Sequence, residues 1–550
     1  MEKNFSEKHI KYKKYYKSNS LYWGLGIENE FYLEFDKNIP FEREKFLKNH
    51  KKERYSLDYY LTYKENVIKD LFPLINYNEE LPLLLNSHSF SKTDKNNNPK
   101  TLYTKNCEIN PKFIGETLWE SITKDNNILK NYYNNNLVFD GDSIEIITLN
   151  YYNTSLSSII KELDISRNTF IENIKNSFQK NNIFNEFGNV RIMTKNHPYA
   201  VMLTNTENVC MFNNGTIHYN LTLPTELDEN GKIKNWLKFE LEHKNYIRLI
   251  QLFEPLFITV YGQPDPLSEY NKKLSSCSQR TAVSRYIGIG TFDTDLMKRG
   301  KLLVDNISNF KVATEDYGWY KKYYDYCDYN KLEQIGYDIN FNKHFNHGVE
   351  LRFFEHQTSI ENLSEIGKML IYLGDFSLDY YVKENIILNK EWNELVYDCM
   401  IMGKNTKIKT NLYNSIIGEI FTETNVVNLY YEIYRFLEKK YKNNGNFSRY
   451  TLSENQINKI EVKLNEIKLD FKNNLNDIKS EIKKELSNVS KQVNELNEQV
   501  IKVINDNKKV EEILINSTAQ IIKKNLEEKH KLIDKNKLVV SDRKKCCCIS

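Results

Sequence analysis

The sequence predicts an α+β protein, with an antiparallel sheet, helices on one side of it and a long C-terminal coiled-coil helix. Short stretches that alternate apolar and polar residues predict strands with one buried face. Apolar residues at helical spacing separate these strands, and a seam at steps of three and four follows them. The predicted strands lie at 24–35, 137–148, 213–224 and 347–355, the first helices at 41–75, 155–185 and 233–262, and the seam at about 453–526. We expect the polar side chains of the four strands to share the concave face of one sheet.

The composition predicts a large folded protein of a reducing, cytosolic compartment. The chain has 550 residues, which is too many for one ordinary core. Of these residues, 40% are hydrophobic and 13% are aromatic. A net charge of +3 argues against a general nucleic-acid binder. We expect neither a signal peptide nor a membrane-spanning helix, because no apolar run is long enough. Abundant Asn, Lys, Ile and Tyr beside only 19 Gly and 10 Pro favour an AT-rich source, such as a protist or a large DNA virus.

The first predicted strand carries two glutamates on one face. In the segment 26–31, Glu28 and Glu30 are two residues apart and share a face, while Ile27 and Phe31 supply apolar surface. Two carboxylates on one face repel each other unless a positive charge lies between them. A hard divalent cation meets this need. From this segment alone, a solvated acidic edge strand is the alternative.

The other three predicted strands add polar groups of matching chemistry. Each strand presents these groups at alternate positions, so they share a face within the strand. They are Glu145 in the second strand, His218 and Asn220 in the third, and Glu350 and Arg352 in the fourth. Four such strands spread over more than 300 residues indicate one polar sheet face rather than four unrelated edges.

Carboxylates and one imidazole are donors that can hold Mg²⁺ or Mn²⁺ against the phosphates of ATP. Arg352 is the candidate for stabilising a transferring phosphoryl group. Arg280 and Arg285 are weaker candidates for contacting substrate or phosphate, since an ordinary ion pair explains such residues more often. The candidate metal ligands are Glu28, Glu30, Glu145, His218 and Glu350.

Four motifs, in this order along the chain, resemble those of the carboxylate–amine ligase superfamily, which includes glutamate–cysteine ligases, glutamine synthetase and the amidoligases. The segment 26–31 is similar to their first-strand Gly-x-Glu-x-Glu-Phe, and 140–148 to an Asp-Gly-Ser followed by Glu, two hydrophobic residues and Thr. The segment 214–220 resembles their His-x-His or His-x-Asn strand, and 349–354 their late Glu-x-Arg strand. The resemblance covers roughly residues 20–375, with Asn220 in place of the second His of glutamine synthetase.

This resemblance implies a glutamine synthetase-like catalytic fold that binds ATP and Mg²⁺ or Mn²⁺. The γ-phosphoryl group of ATP would pass to a substrate carboxylate, and an amine would attack the resulting acyl phosphate to form an amide. Under this hypothesis Glu30 and Arg352 act in catalysis, and Asn220, Arg280 and Arg285 contact the cofactor. The substrates would be a small-molecule carboxylate and an amine, which vary across the superfamily.

Residues 446–535 are predicted to form a coiled-coil stalk. Apolar residues recur at steps of three and four from Ile457 to Val503, and Pro is absent. Consecutive steps of four at 467–475 and 478–486 predict stutters that locally unwind the supercoil. We expect a homo-oligomer held together by this stalk, with a helix folded back on the body as the alternative.

Residues 536–550 form a basic, cysteine-rich tail with a separate signal. Cys547 followed by Cys-Ile-Ser fits the Cys-a-a-X prenylation pattern, and the terminal Ser favours farnesyl. The lysines at 544–545 would attract anionic lipid, and Cys546 could carry palmitate as a second anchor. We therefore expect a cytoplasmic protein that is peripheral on a membrane when it is prenylated.

Two hypotheses from different classes follow. The leading one is a membrane-tethered, ATP-dependent carboxylate–amine ligase whose catalytic domain spans residues 1–445. The alternative is a catalytically decayed ligase-like domain that serves as a membrane-anchored, coiled-coil scaffold. Intact acidic and arginine positions favour the enzyme, because a decayed site would have lost some of them.

Overall fold

A computed structural model of the chain describes residues 21–36, most of 118–264, 276–282, 291–299, 338–342, 348–452 and 454–543, with short strands at 39–40 and within 80–85. Its contacts divide the chain into two units, Met1–Ile457 and Asn458–Ser550. The first unit contains sheets and helices, and the described part of the second unit is a single helix. The protein is therefore of mixed α+β class with a long C-terminal helix, as the sequence predicts.

The described strands of the first unit form two main sheets and two small ribbons. In chain order they are β1 (Leu21–Phe31), β2 (Leu33–Phe35), β3 (Ile39–Pro40), β4 (Glu80–Leu81), β5 (Leu83–Leu85), β6 (Leu137–Asp140), β7 (Ser143–Ile147), β8 (Val190–Ile192), β9 (Ala200–Met202), β10 (Asn205–Cys210), β11 (Thr216–Glu226), β12 (Phe292–Asp293), β13 (Lys298–Arg299), β14 (Ile339–Phe341) and β15 (Val349–Glu355). The main sheet has six antiparallel strands in the order β14-β15-β11-β1-β7-β6. All four predicted strands thus lie in one antiparallel sheet, which confirms that part of the sequence prediction.

The predicted first strand is interrupted after Phe31, and its last three residues belong to another sheet. After β1 ends at Phe31, β2 joins a five-stranded sheet of order β10-β9-β5-β2-β8, in which β5 and β9 are parallel. The backbone oxygen of Tyr32 accepts a hydrogen bond from the N–H of Met193, and Glu34 pairs with Arg191 at 3.1 Å. These contacts draw the chain out of the main sheet immediately after the acidic segment.

Eleven α-helices are described beside these strands. They are α1 (Leu118–Thr123), α2 (Asn127–Tyr132), α3 (Leu156–Lys180), α4 (Trp236–Tyr261), α5 (Gln279–Ala282), α6 (Ile360–Asp379), α7 (Lys390–Met402), α8 (Asn411–Ile417), α9 (Val426–Tyr441), α10 (Ser448–Thr451) and, reaching into the second unit, α11 (Glu454–Arg543). The predicted helices at 155–185 and 233–262 are confirmed as α3 and α4. The predicted helix at 41–75 lies outside the described residues.

Helix α4 is the centre of the core. The sequence predicts an amphipathic helix, but from Asn245 to Tyr261 every residue except Val260 is buried. The reason is that neighbours surround it: the Tyr246 hydroxyl donates to a carbonyl of α6, and the Trp392 indole N–H of α7 donates to the carbonyl of Gln251 at 2.8 Å. A helix that is enclosed in this way has no solvated face.

One face of the main sheet packs against helices. The hydroxyl of Tyr219 on β11 donates to the carbonyl of Leu363 on α6 at 2.8 Å, and Arg167 of α3 donates to the side chain of Asn29 on β1, also at 2.8 Å. Ile27 and Leu351, which point to the same side, are almost fully buried. Because side chains alternate along a strand, the other face carries the predicted acidic residues.

The stretch 442–446, predicted to be a linker, is a mostly exposed turn, and the residues that follow it pack on the first unit. The carboxylate of Asp375 accepts backbone hydrogen bonds from Phe447 and Ser448, and the Phe447 ring is fully buried beside Gly374. These contacts extend the first body beyond the predicted boundary at residue 445. The long helix begins at Glu454.

Helix α11 contains 90 residues, so at 1.5 Å per residue it is roughly 135 Å long. Within it, the side chains of residues 482–534 are all exposed, including the apolar residues of the predicted seam. The described helices include none with both the length and the apolar character needed to cross a bilayer.

The buried His243 predicts a loss of stability in acid. Its Nε2 accepts the N–H of Leu223 at 3.1 Å and its Nδ1 lies 2.7 Å from the carbonyl of Phe239, an arrangement that fits a neutral imidazole. Burial lowers the pKa of His243 to about 4. The contribution of the neutral imidazole to the free energy of unfolding is therefore complete above pH 6.5 and is lost as the pH falls towards 4. We expect the free energy of unfolding to fall less steeply over this range in His243→Gln than in the wild type, by up to about 1.4 kcal/mol per pH unit. Equal slopes in urea titrations at successive pH values would contradict this.

Candidate functional site

Pairing across the main sheet brings the predicted side chains together. Glu28 on β1 lies opposite His218 on β11, and Glu30 lies opposite Thr216 on one side and Glu145 on the other. Directly opposed residues of antiparallel strands point to the same face. We call the face that carries Glu28, Glu30, Glu145, His218 and Glu350 the acidic face.

Three side chains of the acidic face form a group that could hold a metal ion. Nδ1 of His218 lies 3.1 Å from a carboxylate oxygen of Glu28 and 3.7 Å from one of Glu350. One donor atom from each of the three residues can be chosen so that all lie within 4.8 Å of one another. Two carboxylates and an imidazole suit Mn²⁺, and with additional water ligands they suit Mg²⁺.

The contacts of His218 allow two tautomers. The hydroxyl of Thr216 lies 2.5 Å from a carboxylate oxygen of Glu30 and 2.9 Å from Nε2 of His218, and Nδ1 lies 3.1 Å from a carboxylate oxygen of Glu28. When Nδ1 carries the proton, it donates to Glu28; when Nε2 carries it, Nε2–H donates to the hydroxyl of Thr216 and the lone pair of Nδ1 faces Glu28 and Glu350. A lone pair that faces two carboxylates is repelled by them unless a cation lies between.

The imidazole of His218 is uncharged near neutral pH. Burial lowers the pKa of His218 to about 3, with Arg352 and Arg280 lowering it further and Glu30 and Glu350 opposing them. The imidazole is therefore neutral near pH 7 and can act as a ligand.

All four carboxylates of the acidic face are largely buried. Glu30, Glu145 and Glu350 are each less than 10% exposed, and the side chain of Glu28 is 15% exposed. Amides orient two of them: Asn220 donates to Glu28 at 3.1 Å, and Asn340 donates to Glu350 at 2.7 Å. Asn220, predicted to contact a cofactor, thus orients a candidate metal ligand in this structure.

Two arginines supply positive charge beside the acidic face. A guanidinium nitrogen of Arg352 lies 3.4 Å from Glu350, and Arg280 donates from Nε to the backbone oxygen of Arg352. Arg280 also lowers the pKa of His218, which places its charge near the candidate metal group. Arg285 lies outside the described residues.

Glu355 adjoins the acidic face and was not predicted from the sequence. A register shift between β11 and β15 lets Asn220 oppose Glu350 and Thr216 oppose Glu355, although the two glutamates are an odd number of residues apart. One oxygen of Glu355 accepts hydrogen bonds from the Ser278 hydroxyl at 2.8 Å and the backbone N–H of Arg280 at 3.1 Å. Burial raises the pKa of Glu355 to about 7. Glu355 therefore holds the segment that carries Arg280.

The residue between the two glutamates of β1 anchors this strand from behind. Asn29 accepts a hydrogen bond from the guanidinium of Arg167, and its amide lies 2.8 Å from Nδ1 of His356. Arg167 also donates to the carbonyls of Gln357 and Thr358. These contacts link β1, α3 and the end of β15, and so fix the position of Glu28 and Glu30.

Two glycines of β1 make room for a tyrosine that covers one end of the acidic face. The ring of Tyr151 lies where Cβ atoms of Gly24 and Gly26 would stand, and its hydroxyl lies 3.2 Å from that of Thr222. The glycine of the Gly-x-Glu-x-Glu motif thus has a packing role.

A methyl group at position 26 is expected to displace Tyr151. We expect Gly26→Ala to lower the free energy of unfolding by about 1–3 kcal/mol, the usual cost of overpacking. In a Tyr151→Ala background the same substitution should cost much less, because the clashing ring is gone. Urea denaturation of the four proteins measures this coupling, and additive effects would show that the ring is not the cause.

The geometry defines a class of site: glutamates and one neutral histidine, grouped so that they could hold a metal ion, on an antiparallel sheet flanked by arginines. No family model matches the chain. It is 38% identical over 443 residues to the uncharacterized protein R704 of Acanthamoeba polyphaga mimivirus, a match that covers 79% of this chain and 77% of that protein. The chain therefore belongs to the same family as this mimivirus protein. The relative comes from a giant virus, in agreement with the compositional expectation.

Proposed function

We propose that the protein is an ATP-dependent carboxylate–amine ligase with a glutamine synthetase-like catalytic fold. The observation that carries the proposal is the close grouping of Nδ1 of His218 with carboxylate oxygens of Glu28 and Glu350. The antiparallel sheet and the four motifs that meet on its acidic face add support. Fold and motif resemblance alone do not fix an activity, so the chemistry of the donor group has the greater weight.

Glu28, His218 and Glu350 would hold one Mg²⁺ or Mn²⁺, and Glu30 and Glu145 lie beside them as further oxygen donors. When bound, the metal would neutralise charge on the ATP phosphates and bring the γ-phosphoryl group to the acidic face. With the metal bound at Nδ1, the Nε2–H of His218 would donate to Thr216, 2.9 Å away. Asn220 and Asn340 keep the carboxylates of Glu28 and Glu350 in place.

The ligation proceeds in two steps, phosphoryl transfer and then amide formation. A carboxylate oxygen of the acid substrate attacks the γ-phosphorus, the bond to the β-phosphate oxygen breaks, and ADP and an acyl phosphate result. The amine nitrogen then attacks the acyl carbon, phosphate leaves, and the nitrogen loses one proton. Arg352 and Arg280 would stabilise negative charge as it shifts between the phosphates, and Arg285 is a further candidate.

The activity test uses one substitution on the acidic face. In wild-type protein, Mg²⁺-ATP with a panel of amino acids and polyamines should release phosphate and yield an amide. Glu30→Ala should lower this rate on the order of 100-fold or more, because a carboxylate facing the metal and the phosphates is removed. Glu226→Ala, at the exposed end of β11, is the matched control and should keep the rate.

Two results would reject the metal assignment: full activity of Glu30→Ala, or full activity in EDTA. Titration with Mn²⁺, followed by its electron paramagnetic resonance signal, reports binding independently of turnover. A protein that binds Mn²⁺ but turns over no acid and amine would favour the scaffold alternative.

We further propose that α11 forms a coiled-coil stalk and that the cysteine tail attaches it to the cytoplasmic face of a membrane. The tail at 544–550 lies outside the described residues, so the support comes from its Cys-a-a-X pattern and from the exposed seam of α11. One farnesyl chain binds membranes only marginally. Palmitate on Cys546, the basic residues and oligomerisation would each strengthen attachment.

The tail hypothesis predicts the distribution of the protein in a prenylating eukaryotic cell. Full-length protein should sediment with membranes, and Cys547→Ser should move most of it to the soluble fraction, because the prenyl acceptor is lost. Truncation after residue 452 should have the same effect. Fractionation and immunoblotting measure both. Membrane binding that survives Cys547→Ser would place the anchor elsewhere, and a wholly soluble wild type would reject lipidation.

A further inference from the structure

The exposed part of α11 has a continuous apolar seam that a second helix could cover. From residue 486 onwards, steps of three and four alternate without interruption, which defines heptad positions a and d. The a positions are Leu486, Val493, Val500, Asn507, Leu514 and Ile521. Side chains at these positions are exposed in the single chain.

Asn507 is the one polar residue among these a positions, and it lies near the middle of the seam. An amide that is buried between helices without a hydrogen-bond partner costs free energy. An amide opposite it provides that partner, which is why a single Asn at an a position fixes both the alignment and the number of helices in a coiled coil. The occupant of the seam must therefore present a polar group at the level of Asn507.

The orientation of the occupant follows from the same residue. In parallel helices a positions face a positions, so an identical, unshifted chain brings Asn507 against Asn507. In antiparallel helices a positions face d positions, and the nearest d positions are Val503 and Val510. The next d position with a polar residue is Ser517. An antiparallel alignment that brings Ser517 opposite Asn507 also brings Lys524 opposite Val500. Within 486–521, the parallel, unshifted alignment pairs the amide with its equivalent, sets Ser517 against Ser517 and keeps every other layer apolar, with Lys524 outside the segment.

The positions that flank the seam favour a copy of the same chain over a different partner. Foreign partners are selected by opposite charges at positions e and g. In the first half of the seam these positions are neutral: Ser490 and Asn497 at e, and Gln492 and Gln499 at g. Asp506 would lie near Glu511 of the second copy, a like-charge pair that faces solvent and is screened by salt.

We propose that residues 486–521 pair with the same segment of a second copy, parallel and in register, with the two Asn507 amides facing each other. This inference deepens the coiled-coil part of the proposed function and is independent of the ligase activity. Failure of ligation would leave it standing, and failure of pairing would leave the acidic face unaffected.

The first test measures oligomeric state in the full-length protein. Light scattering after gel filtration should give about twice the chain mass of 65.5 kDa. Asn507→Val should yield a mixture that includes larger oligomers, because the group that specifies two strands is gone. Asn505→Val, at the outward-facing position f, is the matched control and should remain a dimer. A monomeric wild type, a wild type larger than a dimer, or an unchanged Asn507→Val would overturn the proposal.

The second test measures orientation. Val493→Cys in a background with serine at 546–548 should give a disulfide-linked dimer as the main species on mild oxidation, because the two residues face each other only in the parallel alignment. The parent without the new cysteine should give none. If Val493→Cys links instead to Ser517→Cys in a mixture of the two variants, and not to itself, the helices are antiparallel and the proposal fails, because Ser517 is the d position that faces Val493 when antiparallel copies overlap over 486–524.

A third readout depends on the like-charge pair. Glu511→Lys should raise the unfolding temperature of the dimer at low salt, because the introduced ammonium group would attract Asp506 of the second copy. The gain should shrink at high salt. A substitution that lowers the unfolding temperature would argue against the parallel register. Circular dichroism of each variant verifies that the helix content is unchanged.

Discussion

Burial of several carboxylates on one sheet face is the constraint on which the rest of the structure depends. Glu30, Glu145 and Glu350 are almost inaccessible to water, and each would carry a negative charge at neutral pH in solution. Removing such charges from water is expensive unless positive charge or hydrogen bonds compensate for it. Among the described residues, Arg352 contacts Glu350 directly, whereas His218 stays neutral. A cation between Glu28, His218 and Glu350 would add compensation at the point where these groups lie closest together.

On the opposite face of the sheet, the described hydrogen bonds of Arg167 go to neutral groups. Arg167 is buried there, and its burial lowers its pKa to about 10. Its hydrogen bonds go to the amide of Asn29 and to backbone carbonyls rather than to a carboxylate. Neutral acceptors satisfy the guanidinium without placing another acid near Glu28 and Glu30. The strand is therefore held rigidly from behind while its front face keeps its own charge balance.

Period-two alternation explains how much of this could be read from the sequence. Glu28, Glu30, His218 and Glu350 were predicted together because strand side chains alternate, and the register confirms that they share a face. Glu355 was missed because the register shift in β15 breaks that alternation, and no local signal marks the shift.

Contacts between residues far apart in sequence were also beyond local patterns. Asn29 and Arg167 are 138 residues apart, so neither hints at the other. The predicted linker at 442–446 contains Gly and Asn, which are typical of loops, yet Asp375 holds the backbone that follows it against the first body. In each case the contact that positions the backbone is tertiary and leaves no signal in the local sequence.

The glycines of β1 change how the resemblance to ligases should be weighed. A Gly two residues before a Glu can be read as room for a nucleotide, but in this chain Gly24 and Gly26 make room for Tyr151. The glycine part of the motif is therefore explained by packing and says little about chemistry. The two glutamates have no such explanation, because packing alone would favour apolar side chains at buried positions. Glu28, Glu30 and His218 therefore support a functional role most strongly, because burying these polar side chains for structure alone would cost free energy of folding.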